Sequence, residues 1–132
     1  MEEIIKEIAE LIDTGEVVFL HRETQEILSY PAPDRSGYNE YDYLAEKVLA
    51  ITDMNPDLYI QFDPPDTRES YKIMEGFVET VEIGKIKALL QGSLKSNKPF
   101  RNFRNTIETE GIEDDWYDYK DAYLQMGVRD KL

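Results

Sequence analysis

The chain has 132 residues, 41% of them hydrophobic and 11% aromatic, and carries 28 acidic against 15 basic side chains for a net charge of −13. That length fits one compact domain over residues 1–132, with apolar content enough for a core. With no cysteine, disulfides, thiol nucleophiles and thiolate metal sites are excluded, and the acid excess argues against broad attraction to nucleic acid or an anionic membrane.

Residues 2–13 set Ile4, Ile5, Ile8, Leu11 and Ile12 on one stripe of an amphipathic helix, interrupted by Glu2, Glu3, Glu7 and Glu10. Those acids deny the segment the basic start and unbroken apolar core of a signal peptide. No apolar run approaches the ~20 residues of a membrane helix, so a cytoplasmic protein without a membrane partner is expected. Thr14-Gly15 closes the helix, with Gly15 free to take a left-handed cap. Val17 to Arg22 and Ile27 to Tyr30 are rich in β-branched and aromatic residues and read as a hairpin, although its turn, Glu23 to Glu26, contains no glycine.

Pro31 to Gly37 is punctuated as a loop. Tyr41, Leu44, Ala45, Val48 and Leu49 then recur at helical spacing until Asn55-Pro56-Asp57, and Leu58 to Phe62 reads as a third short strand closed by Asp63-Pro64-Pro65. Beyond it the pattern is helical. Asp66 and Glu69 stand as in a capping box, opening a helix with the stripe Tyr71, Met74, Phe77, Val78, Val81. Ile83, Ile86, Leu89 and Leu90 continue helical to Gly92. Pro99 opens another helix whose buried face is Phe100, Phe103 and Ile107 and which Gly111 ends. Glu113, Asp114 and Asp115 begin the last, with Trp116, Tyr119, Tyr123 and Met126 on its apolar side. The fold class expected is α+β: a small three-stranded antiparallel sheet, a hairpin plus one strand, with a mainly helical C-terminal half.

Little in the chain points to chemistry. His21, the lone histidine, falls in a strand, and no nucleophile–base motif accompanies it. Asp63 with Asp66, and Glu113 to Asp115, offer carboxylates to a divalent cation. Neither group has the alternating ligands and central glycine of an EF-hand loop, and helix capping accounts for both. No metal or cofactor is expected. The nine tyrosines, Tyr38, Tyr41, Tyr43, Tyr117, Tyr119 and Tyr123 among them, suit either an interface or the rim of a small core.

Charge segregation is the informative feature. Six bases and no acid lie between Ile83 and Ile107, namely Lys85, Lys87, Lys95, Lys98, Arg101 and Arg104, which leaves nine bases against 28 acids elsewhere. Lys98 and Arg101 stand at the start of the helix that Pro99 opens, where cations oppose the helix dipole unless an anion sits among them. Three anions fit: the protein's own acidic remainder, an acidic protein partner, or a phosphate of nucleic acid. Two helices with a basic second one suggest helix-turn-helix, but the link from Gly92 to Lys98 is longer than that motif's three or four residues.

Three stretches resemble the bacterial Uncharacterised Protein Family 0158: Val17 to Ile27; Glu69 to Glu79; and Ala88 to Gly92 leading to Pro99-Phe100-Arg101-Asn102-Phe103-Arg104-Asn105, followed by Trp116-Tyr117. The family pattern has glycine in the hairpin turn where Gln25 stands, and a compact glycine-containing link where this chain runs from Gly92 to Pro99. Phe100, Arg101, Phe103 and Arg104 map onto its most recognisable motif. The resemblance implies no catalytic residues, since the family's activity is unknown. The expected function is a non-catalytic binding or regulatory module whose site is Lys95, Lys98, Arg101 and Arg104, facing an acidic protein partner or the chain's own acids. Nucleic-acid or phosphate binding through the same residues is one alternative, and an unrecognised hydrolase the other.

Overall fold

The computed structural model describes residues 1–33 and 42–132, with Asp42 described by its backbone alone. The expected loop at 34–37, together with Tyr38 and Tyr41, lies outside the described residues. The chain forms two compact units, Met1–Pro65 with Leu124–Leu132, and Asp66–Tyr123. The last helix contributes its first residues to the second unit and its last to the first.

The first unit is built on the sheet. Helix α1 (Glu2–Asp13) is followed by strands β1 (Glu16–His21) and β2 (Ile27–Pro31), helix α2 (Asp42–Met54), a short 3-10 turn at Pro56–Leu58, and strand β3 (Tyr59–Phe62). The strand order is β2-β1-β3, antiparallel throughout, with Phe19 opposite Leu28 on one side and Gln61 on the other. β1 is therefore central, and Val17 to Leu20 are all buried. Val17 and Phe19 pack with Val48 of α2, flanked by Leu28, Tyr30 and Tyr59. Val18 and Leu20 point the opposite way by the two-residue period of a strand, and α1 packs along β1.

Pro31, expected in a loop, instead ends β2 opposite Glu16. It is tolerated because β2 is an edge strand. In the hairpin turn Gln25 takes φ 64, a left-handed conformation costly for a residue with a Cβ.

The second unit is helical: α3 (Thr67–Thr80), α4 (Gly84–Leu94), α5 (Pro99–Glu110) and the start of α6 (Glu113–Lys131). Asp66 accepts the Glu69 backbone N–H at 2.8 Å, the forward half of the expected capping box. Val81 to Ile83 are non-helical and separate α3 from α4. Phe77 is the aromatic hub, with ring centroids 6.4 Å from Phe103, 5.4 Å from Trp116 and 5.6 Å from Tyr119. Around it Met74, Val78, Leu90, Leu94 and Ile107 complete the core. Gly111, at φ 67 and ψ 33, closes α5 in the left-handed region, and the Ile112 N–H returns to the Ile107 carbonyl.

Four residues of the expected apolar stripes are exposed: Ile83 (62%), Leu89 (44%), Tyr123 (39%) and Met126 (63%). For Ile83 the cause is the break before α4, which takes it off the helical stripe on which periodicity had put it.

Candidate binding surface at the start of helix α5

The start of α5 is fixed by a polar ladder running back to α4. Ser93 and Thr106 face each other at 2.8 Å across the two helices, while Ser93 also reaches the Leu89 carbonyl and Thr106 the Asn102 carbonyl. With two hydroxyl protons, two of these three contacts are donated at a time, and all four oxygens lie within one network. Asn102 Nδ2 donates to Ser96 Oγ at 2.8 Å, and Ser96 Oγ donates to the Ser93 carbonyl. Tyr71 of α3 donates its hydroxyl to the Leu94 carbonyl at 2.9 Å, taking one of the free acceptors at the end of α4. The segment joining the helices is held rather than loose.

This geometry corrects the length of the link. α4 continues through Gly92 to Leu94, so the connection is four residues, Lys95 to Lys98, and not the longer stretch from Gly92. Gly92 lies inside α4 and has no positive φ, so glycine there marks no turn. Four residues is a length that helix-turn-helix connections use.

All four expected site residues sit on this turn and the helix after it. Lys95 caps the end of α4, Lys98 is the residue before the first turn of α5, and Arg101 and Arg104 follow at three-residue steps. All are exposed. Among the described residues none of the four makes an ion pair or a side-chain hydrogen bond. By contrast Lys87, on α4, lies 3.8 Å from Glu79. Pro99 supplies no N–H, no side chain caps α5, and its first turn holds no acid. The unbonded backbone N–H groups of that turn therefore add partial positive charge to the three cations beside it.

Phe103 is 2% exposed and belongs to the core. Phe100 is half-buried, its ring 6.5 Å from that of Tyr71 in an edge arrangement. Pro99, Phe100, Tyr71 and Thr67 line an open hollow of about 450 Å³ whose charged edge is Arg68, Lys72 and Glu75. Arg68 and Lys72 escaped the sequence reading because α3 sets them among three acids, Glu69, Glu75 and Glu79. Their i, i+4 spacing on either side of Tyr71 is the signal that marks them.

His21 is engaged within the hairpin. Its Nδ1 accepts the backbone N–H groups of Glu23 and Thr24, each at 3.1 Å, and its ring packs edge-on against Tyr59. It organises the hairpin turn. No helix among the described residues is long and apolar enough to cross a membrane.

A model of the Uncharacterised protein family (UPF0158) matches residues 1–132, and the chain belongs to that family. A protein of Pseudomonas aeruginosa described as a UPF0158 protein is 30% identical, the match covering 76% of this chain and 75% of that one. No solved structure matches the chain.

Proposed function

We propose that this family member is a non-catalytic binding module whose α4–α5 turn contacts an acidic segment of a protein partner. One observation carries the reading: Lys95, Lys98, Arg101 and Arg104 are exposed and without ion-pair partners among the described residues, although the chain holds 28 acids. An internal clasp, the competing account of those bases, draws no support from such an arrangement. The neighbouring hollow supports a protein ligand in particular, because an apolar floor of Pro99, Phe100 and Tyr71 receives a side chain while Arg68 and Lys72 add to the positive rim. We also assign the module to the cytoplasm, since a cysteine-free chain draws nothing from an oxidising compartment. Cell fractionation that recovered it outside the cytoplasm would remove that assignment.

The test uses a labelled peptide of aspartates and glutamates around a central phenylalanine. Arg101→Ala/Arg104→Ala should weaken its binding about tenfold or more, as expected for two charge-assisted contacts. Equal binding by wild type and variant would remove the four cations from the site.

A second reading is favoured by the four-residue link, which lifts the geometric objection to a nucleic-acid contact. A single-stranded RNA oligonucleotide distinguishes it. Tight RNA binding that falls with salt at a log–log slope of several units would favour phosphate recognition. The dispersed acids elsewhere on the chain, which repel a polyanion along its length, weigh for the peptide.

A further inference from the structure

A second hollow in the helical unit has the opposite polarity, and we propose that it docks a basic peptide segment through an aliphatic anchor. The hollow, of about 460 Å³, lies where the end of α3, the start of α4 and the first turns of α6 meet. Its floor is apolar, formed by Phe77, Val81, Ile86, Ile112 and the ring of Tyr119. Its rim is acidic, formed by Glu82 in the α3–α4 link and by Asp115 and Asp118 of α6. No basic side chain lines it.

Three features make this a binding surface rather than a solvated dent. Ile83 stands at the mouth with 62% of its surface exposed, an apolar side chain held outward by the non-helical link before α4. The side chains of Glu82, Asp115 and Asp118 are exposed and, among the described residues, make no hydrogen bond or ion pair. The helix dipole accounts for Asp115 in the first turn of α6 and for Glu82 just before the N-cap of α4, but not for Asp118 a turn further on. The wall is also held to a set position. A Cβ on Gly76 would overlap the hydroxyl of Tyr119, so glycine lets that ring lie directly against α3.

The arrangement selects the ligand's chemistry. Among the described residues no three carboxylates gather closely enough to hold a metal ion, so the negative charge is spread around an apolar centre. A ligand matching it has cationic groups on both sides of an apolar one, which is a Lys- or Arg-flanked Leu or Ile in a peptide. The chain's own basic turn in a second copy is a poorer occupant. Such a head-to-tail contact uses two different surfaces and gives a ring or an open filament, not a two-fold dimer.

The probe is a labelled heptapeptide, Lys-Lys-Leu-Ile-Leu-Lys-Lys, titrated against the full chain by fluorescence anisotropy. Replacing its centre by Ser-Gly-Ser should weaken binding about tenfold or more, and replacing its lysines by glutamates should abolish it. On the protein, Asp115→Asn/Asp118→Asn should weaken binding about tenfold and flatten its salt dependence, and Ile83→Ser should weaken it several-fold. Glu3→Gln/Glu7→Gln, which removes as much charge from exposed positions on α1, should leave binding unchanged. So should Arg101→Ala/Arg104→Ala, so that this inference and the proposed function fail independently. Equal binding of the lysine peptides with and without the aliphatic centre would overturn the proposal, as would equal effects of the α1 and α6 variants. Sedimentation showing self-association that Ile83→Ser abolishes would overturn it too, by making a second copy the occupant.

Discussion

The two units divide the chain's charge unequally. The sheet unit holds 16 acids and six bases, the helical unit 12 acids and nine bases. In the sheet unit the described acids are strewn along α1, the hairpin turn and α2, and an ion pair joins Arg129 to Glu2 at 2.6 Å. The nearly balanced unit is the one whose charges are sorted: cations around the α4–α5 turn, carboxylates around the hollow at α6. Net charge keeps the sheet unit soluble and says little about recognition. Separation of charge beside an apolar hollow is what gives a surface a preferred partner.

That contrast makes the helical unit's aromatic core the place where a mutation should matter most. Phe103→Ala removes a ring packed 5.0 Å from Trp116 and 6.4 Å from Phe77, and should cost about 3–5 kcal/mol. Phe100→Ala, at a half-buried wall of the basic hollow, should cost much less and instead weaken binding of the acidic peptide. Urea unfolding followed by Trp116 fluorescence and by far-ultraviolet circular dichroism measures both. The two probes should report one transition if residues 1–132 behave as a single domain. Similar losses for the two phenylalanines would mean that the hollow is no more than an edge of the core.

The next effect sharpens the same contrast at the acidic hollow. Gly76→Ala places a methyl where the Tyr119 hydroxyl lies and should cost about 1–3 kcal/mol, the usual range for overpacking. Its binding signature separates it from a simple core lesion, because displacing Tyr119 should weaken the lysine peptide and spare the acidic one. A Gly76→Ala chain as stable as wild type would show that the Tyr119 ring swings aside at no cost.

In the sheet unit the expected change is smaller and of opposite sign. Gln25→Gly relieves a positive φ in the hairpin turn and should stabilise the protein by about 0.5–1 kcal/mol, after the added freedom of the unfolded chain is set against it. No gain in the urea midpoint would mean that the turn relaxes to suit glutamine.

Periodicity made most of this architecture legible. The stripe of α1, the alternation in β1 and the Asp66 cap need only local contacts, and each was readable from neighbours within a few positions. Non-local packing hid the rest. Gly92 looks like a helix end, but its φ is ordinary and α4 runs past it, because the Ser93–Thr106 contact and the Tyr71 hydroxyl continue to hold the last turn. The basic turn was visible as a run without acids, whereas Arg68 and Lys72 were masked by the acids of α3, Glu69, Glu75 and Glu79. The acidic hollow was only half legible: Asp115 and Asp118 stand three apart on one helix, but Glu82 is brought beside them by the fold alone.

The smallest effect tests whether the sheet unit's charge contributes anything specific. The Arg129 guanidinium, hydrogen-bonded to the Glu2 carboxylate and attracting it, holds that carboxyl below its ordinary value of 4.5. A carboxylate whose folded pKa is depressed adds stability above its unfolded value and loses it as pH falls through the folded one. The contribution is therefore fully present at neutral pH and fades below about pH 4.5, the value from which Glu2 is lowered. Both side chains are exposed, so the difference between wild type and Glu2→Gln should be slight at pH 7, smaller in high salt, and absent at the acid end. Thermal unfolding of the two proteins from pH 3 to 7 measures it. A gap that widened towards acid would have the wrong sign for this pair and would place the stabilising charge elsewhere in the unit.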